Sequence, residues 1–200
     1  MLQYHLINRF SGLLRWYRTS LLIDMKHLSS YLPVKGRLLD VGCGVGSVDY
    51  ELGRRHPALR VLGIDITPAS IEWAKKRHAL PNVEYACQRL ESIAGHFDCV
   101  LFIDVFHHVP PEHRDSLLQA ATRLLTPTGY VLIKDIERRH GWCSWVLDRY
   151  VSRCPANEIF LQNCEDLVTL VSKSLKVVKS EVRFRVPFPH YYIKATLKSF

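Results

Sequence analysis

Leu38-Leu39-Asp40-Val41-Gly42-Cys43-Gly44-Val45-Gly46 decides the fold of this 200-residue chain. Arg37 to Val41 is a short apolar run, and residues 46–55 continue as a helix. Glycine at every second position lets the backbone turn sharply and approach a ligand without a Cβ in the way. The helix that follows offers N–H groups with no intrahelical partner. Strand, glycine loop and helix therefore make a ready cradle for a polar ligand. A dinucleotide fingerprint needs Gly or Ala at its sixth position. Ser47 stands there. The pattern is Asp-x-Gly-x-Gly-x-Gly, led by Asp40.

Moving outward, Arg60 to Ile64 is a second buried strand, and Asp65 closes it. An acid at that point accepts both hydroxyls of a ribose; the plain alternative is an acid capping a turn. Ile66 beside it is placed to lie flat on a base. Thr67-Pro68 predicts a helix start, with Thr67 as cap and proline in the first turn. Val83 to Ala86 and Phe97 to Ile103 are the third and fourth strands, the fourth apolar enough to be buried on both faces. Pro110-Pro111 opens a helix with Leu117, Leu118, Ala121, Leu124 and Leu125 on its apolar face, and Tyr130 to Ile136 is the fifth strand. Asn163 caps another helix, with Glu165 and Asp166 in its first turn. Lys176 to Val186 and Tyr191 to Lys198 then form two strands joined by Pro187-Phe188-Pro189.

Alternating strands and helices mean a parallel sheet covered on both faces. Two strands joined by a short turn are antiparallel neighbours. The predicted fold is α/β: a doubly wound, mostly parallel seven-stranded sheet with a reversed last strand and an N-terminal helical lid. Residues 1–33 are expected as a helical cap and 34–200 as the main α/β domain, with a lid-like insertion at about 137–163. In 2–32, Leu6, Phe10, Leu13, Leu14, Tyr17, Leu21, Leu22, Met25 and Leu28 recur at helical steps.

Composition bounds the function. Apolar residues make up 48% and charged residues 23%, which excludes collagen-like and wholly disordered chains. Lys plus Arg number 27 against 19 Asp plus Glu, a net +8. The surplus gathers early, where Arg9, Arg15, Arg18, Lys26, Lys35 and Arg37 face only Asp24. Such a balance suits nucleic acid, an anionic membrane or an acidic partner. No two of the six cysteines form a CxxC pair, which predicts free thiols and no metal site. No run of eighteen apolar residues occurs. The expected location is cytoplasmic, with peripheral membrane contact through 2–32 as an addition.

The sequence resembles the class I S-adenosylmethionine-dependent methyltransferases over roughly 34–200. The resemblance rests on Leu39 to Gly46, Gly63-Ile64-Asp65, Phe97 to Asp104, Phe106-His107-His108-Val109, Leu124 to Gly129 and the closing strand pair. The Phe-His-His stretch looks like the small-molecule branch. The resemblance implies S-adenosyl-L-methionine as cofactor and S-adenosyl-L-homocysteine as product. It places the methionine moiety over Asp40, Gly42, Cys43, Gly44 and Gly46, ribose on Asp65, and adenine between Ile66 and the Gln88-Arg89-Leu90 loop. The family often has an acid in that loop to accept from the adenine amine. Arg89 has no acceptor, so a carbonyl such as that of Gln88 serves, or the loop shifts and Glu91 serves, or the cofactor binds weakly.

Methyl transfer mainly requires alignment in a dry pocket. A base helps when the acceptor is a hydroxyl, phenol or enol. His107 and His108 are the candidate bases, with Asp104 orienting a histidine or touching the cofactor through its backbone. In the alternative, one histidine lines the cofactor pocket and the other caps the turn. Lys134 and Asp135 are candidates for the acceptor site or pair with each other. Trp16, Tyr17, Trp142, Trp145 and Tyr150 are expected to line the acceptor, or else to fill core beneath a basic rim. The Asn/Asp-Pro-Pro-Tyr/Phe stretch used by members that methylate planar exocyclic amines is missing after the fourth strand.

The expected activity is methyl transfer to oxygen or carbon of a small apolar or aromatic acceptor, quinone-, lipid- or polyketide-like, free or tethered to an acidic carrier protein. RNA methylation is an alternative, although the chain has no recognisable RNA-binding appendage and nucleic acid is not the expected partner. A scaffold that binds the cofactor without turnover is another. Ser47 and the terminal hairpin set aside nicotinamide chemistry.

Overall fold

The computed structural model describes residues 23–138, 159–185 and 188–198. Its elements in order are α1 (Met25–Ser29), β1 (Gly36–Val41), α2 (Ser47–Arg55), β2 (Leu59–Asp65), α3 (Pro68–Arg77), β3 (Val83–Cys87), β4 (Phe97–Ile103), α4 (Pro111–Arg123), β5 (Leu125–Ile136), α5 (Cys164–Ser174), β6 (Leu175–Arg185) and β7 (Phe188–Leu197). Short 3-10 turns occupy Leu90–Ser92 and Phe106–His108. The seven strands form one sheet in the order β3-β2-β1-β4-β5-β7-β6. The first five are parallel, and β7 runs antiparallel to both β5 and β6. This is the doubly wound sheet with a reversed last strand that the pattern predicts.

Side chains alternate between two cores because strand residues point alternately to opposite faces. Leu39, Val41, Val100, Phe102, Val131 and Ile133 pack on one face against Leu118 and Ala121 of α4 and Leu167 and Val171 of α5. Leu38, Leu101, Leu132 and Tyr192 pack on the other with Leu28 of α1, Leu52 of α2 and Ile71 of α3. Each fully buried Leu or Ile contributes about 1.5–3 kcal/mol relative to exposure. Neither face of β4 reaches water, which explains its nearly unbroken apolar run.

The two faces fix the site. From β1 the chain winds through β2 to β3 in one direction, then crosses to β4 on the other side of β1. The carboxyl ends of β1 and β4 therefore border a topological switch point, where ligands bind in open α/β sheets.

Local details depart from expectation in three places. Thr67 stands at the N-cap of α3, but its side chain does not cap; Asp65 Oδ1 instead accepts from Thr67 N at 2.8 Å. Strand β5 begins at Leu125, paired with Phe97 before an irregularity, so the Thr126-Pro127-Thr128-Gly129 stretch lies inside the strand. Of the helix expected over 2–32, the described part is the five-residue α1. Asn163 caps α5 as expected, accepting from Asp166 N at 2.8 Å.

Candidate functional site

The glycine loop leaves β1 at Val41. Gly42 N and Cys43 N both donate to Ile64 O, which ties the loop to β2. Gly42, Gly44 and Gly46 all have positive φ. Gly46 has a second reason to lack a side chain, since a Cβ there would run into the Tyr85 ring. The Tyr85 hydroxyl donates to Gly46 O at 3.1 Å, and Gly46 opens α2. A Cβ at Gly44 would meet nothing, so the loop is open above that residue.

Asp65 braces the loop from β2. Its Oδ2 accepts from Gly44 N at 2.9 Å and its Oδ1 from Thr67 N. Each carboxylate oxygen keeps a further lone pair for a hydroxyl. Ile66 is 67% exposed, an unusual placement for isoleucine that suits a flat apolar group laid beside it. Across the groove, Gln88 N donates to Asp65 O. Cys87, Gln88 and Arg89 are exposed, whereas Leu90 is buried and anchors the loop.

Beneath the glycines lies Asp40, 2% exposed, with Oδ1 lacking a hydrogen-bond partner among the described residues. Sequence reasoning missed its neighbour. Asp49 in α2 is wholly buried, and neither of its oxygens has a partner among the described residues. Asp49 Oδ2 fills the space a Cβ would take at Gly63, with the Cys43 thiol beside it. Burial pushes Asp40 well above the usual carboxylate range, and the Asp49 charge adds to it. Burial lifts Asp49 to about 7. A signal did exist: Asp49, Leu52 and Gly53 share one buried stripe of α2.

At the end of β4, Asp104 adopts φ 56°, the single non-glycine residue with positive φ among those described. Asp tolerates this better than most residues. Asp104 N extends the ladder to Lys134 O at 2.8 Å, and its carboxylate accepts from Lys134 Nζ at 2.7 Å. Burial would raise Asp104, but the Lys134 and His107 charges outweigh it and hold the carboxyl below its ordinary value.

The next turn buries Phe106 edge-on against Phe102, with ring centroids 5.2 Å apart. That anchor delivers His107 to Asp135. His107 Nδ1 and Asp135 Oδ1 are 2.5 Å apart, and His107 N donates to Asp135 Oδ2 at 3.1 Å. Asp135 is fully buried and His107 is 6% exposed. Burial opposes a charge on the imidazole, but the Asp135 carboxylate prevails and raises the His107 pKa above its ordinary value. Binding through Nδ1 leaves Nε2 as the basic nitrogen. The exposed His108 ring tilts against His107 at 4.0 Å.

Lys134 and Asp135 do not pair with each other. Neighbours on a strand point to opposite faces, so Lys134 meets Asp104 and Asp135 meets His107. Both are completely buried and would act on an acceptor only through those partners. Arg114 secures the far wall. Its Nε donates to Val109 O at 2.9 Å, its Nη2 to Phe160 O at 2.7 Å, and its Nη1 to Gln162. Phe160 N in turn donates to His107 O at 2.8 Å.

Trp16, Tyr17, Trp142, Trp145 and Tyr150 lie outside the described residues, as does most of the expected cap and lid. Among the described residues, no group of His, Cys, Asp or Glu is arranged to hold a metal ion, and no helix is long and apolar enough to cross a membrane.

The site thus presents a buried carboxyl with one oxygen unpartnered under an open glycine loop, a strand-end carboxylate, an exposed apolar shelf, and a histidine–aspartate pair across the switch point. A ligand with an ammonium at one end, a vicinal diol in the middle and a flat base at the other fits these features. Residues 38–129 match the family profile described as a methyltransferase domain. A ubiquinone biosynthesis O-methyltransferase of Neisseria meningitidis serogroup C is 34% identical over 124 residues, 58% of this chain and 51% of the relative. A phthiotriol/phenolphthiotriol dimycocerosates methyltransferase of Mycobacterium leprae is 31% identical over 144 residues, 70% of this chain and 52% of the relative. The chain spans about half the length of these curated relatives. The crystal structure of magnesium protoporphyrin IX methyltransferase from Synechocystis PCC 6803, with bound SAH, superposes with TM-score 0.67 at 18% identity, covering 87% of this chain and 80% of that one. At that identity the likeness establishes the fold.

Proposed function

We propose that this chain, which carries a class I S-adenosylmethionine-dependent methyltransferase domain, transfers a methyl group to a hydroxyl oxygen of a small phenolic or enolic acceptor. The observation that carries the reading is the His107–Asp135 pair at the carboxyl end of the sheet. S-adenosylmethionine, when bound, supplies a methyl group already activated as an electrophile, so the protein's tasks are placement, dryness and removal of one proton.

The residues divide that work. Asp40 would hold the ammonium end, Asp65 the ribose, and Ile66 with the Gln88–Leu90 loop would flank the adenine. Arg89 is exposed, so a backbone group of that loop takes the adenine amine. His107 Nε2 accepts the acceptor's proton while Asp135 holds the tautomer and the imidazolium that forms. Lys134 fixes Asp104, and through it the turn that carries His107. Kinship with a ubiquinone-pathway O-methyltransferase supports oxygen over carbon as the atom methylated.

The test is His107→Gln, assayed with S-adenosylmethionine and catechol- or quinol-type acceptors. Methyl transfer is expected to fall by about 10²–10⁴-fold, the usual contribution of a positioned base, with S-adenosylhomocysteine affinity unchanged. Native turnover by the variant would remove His107 as the base.

A further inference from the structure

Asp49 has no role in the reading above. It lies wholly inside the protein behind the glycine loop, and the polar side chains within reach of its carboxyl are Asp40 and the Cys43 thiol, neither of them a cation. An isolated buried carboxylate is costly enough that the group holds a proton instead. Its neighbour Asp40 is nearly as buried and also has an oxygen without a donor. Two carboxyls this close in a site without counter-charge do not both ionise.

The remaining groups around the pair supply no cation. Cys43 in the loop and Tyr85 on β3 are pushed up by burial and stay neutral. Cys99 on β4 is likewise pushed up by burial. Asp65, at the end of β2, adds negative charge. From α3, His78 binds the outside of the loop, its Nδ1 2.7 Å from Val45 O. The positive charge that would release the proton must therefore come from a ligand, and the ammonium of the cofactor's amino-acid end has the right sign and place.

We propose that Asp40 and Asp49 share a proton in the free protein and release it to solvent when the cofactor's ammonium docks beside Asp40. Asp49 is then a positioning residue that acts through Asp40 and sets the pH below which the cofactor site weakens. The proposal rests on the cofactor reading above. In the binding step one carboxylic acid becomes a carboxylate, the proton passes to buffer, and no bond to the ligand forms.

The probe is S-adenosylhomocysteine, titrated calorimetrically into the whole chain at pH 6.5 in two buffers of different ionisation enthalpy. The expected result is an apparent enthalpy that differs between buffers by the signature of up to one proton released. The dissociation constant is expected to rise by up to about tenfold per pH unit as pH falls below the pair's titration. In Asp49→Asn, which keeps the shape, Asp40 loses its neighbour's like charge but stays buried, so its titration moves down without returning to the ordinary range. Its binding at pH 6.5 is expected to release fewer protons than the native chain's, to weaken only at lower pH, and to be at least as tight. An infrared difference spectrum of the native chain is expected to lose a protonated-carboxyl band on binding. Binding with equal enthalpies in both buffers would overturn the proton pair and leave the cofactor reading intact. Proton release that persists undiminished in Asp49→Asn would assign it to a group outside the pair and also overturn the proposal. Absence of binding at any pH would overturn the cofactor reading and this inference together.

Discussion

Replacing Asp135 by Asn isolates the chemistry of the histidine pair from its shape. The native carboxylate accepts three hydrogen bonds: from His107 Nδ1 at 2.5 Å, His107 N at 3.1 Å and Ile136 N at 2.7 Å. An amide of the same shape has one acceptor oxygen and turns an NH2 toward at least one of those donors. A buried N–H left without a partner costs about 1–3 kcal/mol. For a chain of this size that lowers the melting temperature by roughly 2–10 °C. The electrostatic consequence is sharper. In the native protein Asp135 overcomes burial and raises His107. Without that charge, burial and Lys134 lower the imidazole against Asp104 alone, so its pKa falls below the native one. The assay is a histidine titration followed by NMR without acceptor, with the His107 signal assigned by its loss in His107→Gln. The native signal is expected to titrate above the ordinary value and the Asn variant below the native one. Where turnover is measurable, the acid limb of kcat/KM moves the same way and its plateau falls by about 10²-fold. The stability sign follows as well. The native pair's contribution is complete below the unfolded histidine value and fades as pH rises through the folded one. A His107 midpoint that does not move in Asp135→Asn would refute the assignment of the pair as an electrostatic unit.

Two further substitutions test the neighbours. Asp65→Ala removes the acceptor for Gly44 N and Thr67 N and the proposed ribose contact, and S-adenosylhomocysteine affinity measured by calorimetry is expected to drop about 10–10²-fold for each charged hydrogen bond lost; native affinity would exclude Asp65 from the site. Lys134→Met strands the Asp104 carboxylate, and denaturant unfolding at neutral pH is expected to show a loss of about 3 kcal/mol, the lower end for a broken buried pair. Because Lys134 keeps Asp104 below its ordinary value, the pair's contribution is present above about pH 4 and disappears as pH falls further. The difference between native and variant stability is therefore expected to narrow in acid, and a constant difference would count against the pair.

The arrangement of the glycine loop and its neighbouring acids was legible because its signals are local. Glycines at fixed offsets, a strand-end acid and a helix start all lie within single stretches of sequence, and the structure places them together at the end of β1 and β2. The histidine half depends on partners 28 residues apart in the chain. His107 and Asp135 could be named as candidates, but only the register of β4 against β5 shows which acid meets which base. Lys134 and Asp135 adjoin in sequence, yet the alternation of the strand sends them to different partners. Asp49 was missed for a different reason. An acid in the first turn of a helix is ordinarily a solvent-facing complement to the helix dipole, and that reading hid the buried stripe Asp49 shares with Leu52 and Gly53.

The interleaving of β7 between β5 and β6 governs how the chain is made. The ribosome delivers β5 and β6 before the strand that joins them. Until β7 arrives, the backbone donors and acceptors of β5 from Tyr130 to Ile136 have no strand on that side, and β6 has no partner at all. An open edge of this kind invites pairing with other nascent chains. The last strand is thus a keystone that closes the sheet after the nucleotide-side half has formed. Truncations that spare the glycine loop, Asp40 and Asp65 but remove Ile193 and Ala195 are expected to yield aggregate in place of a folded, weakened protein.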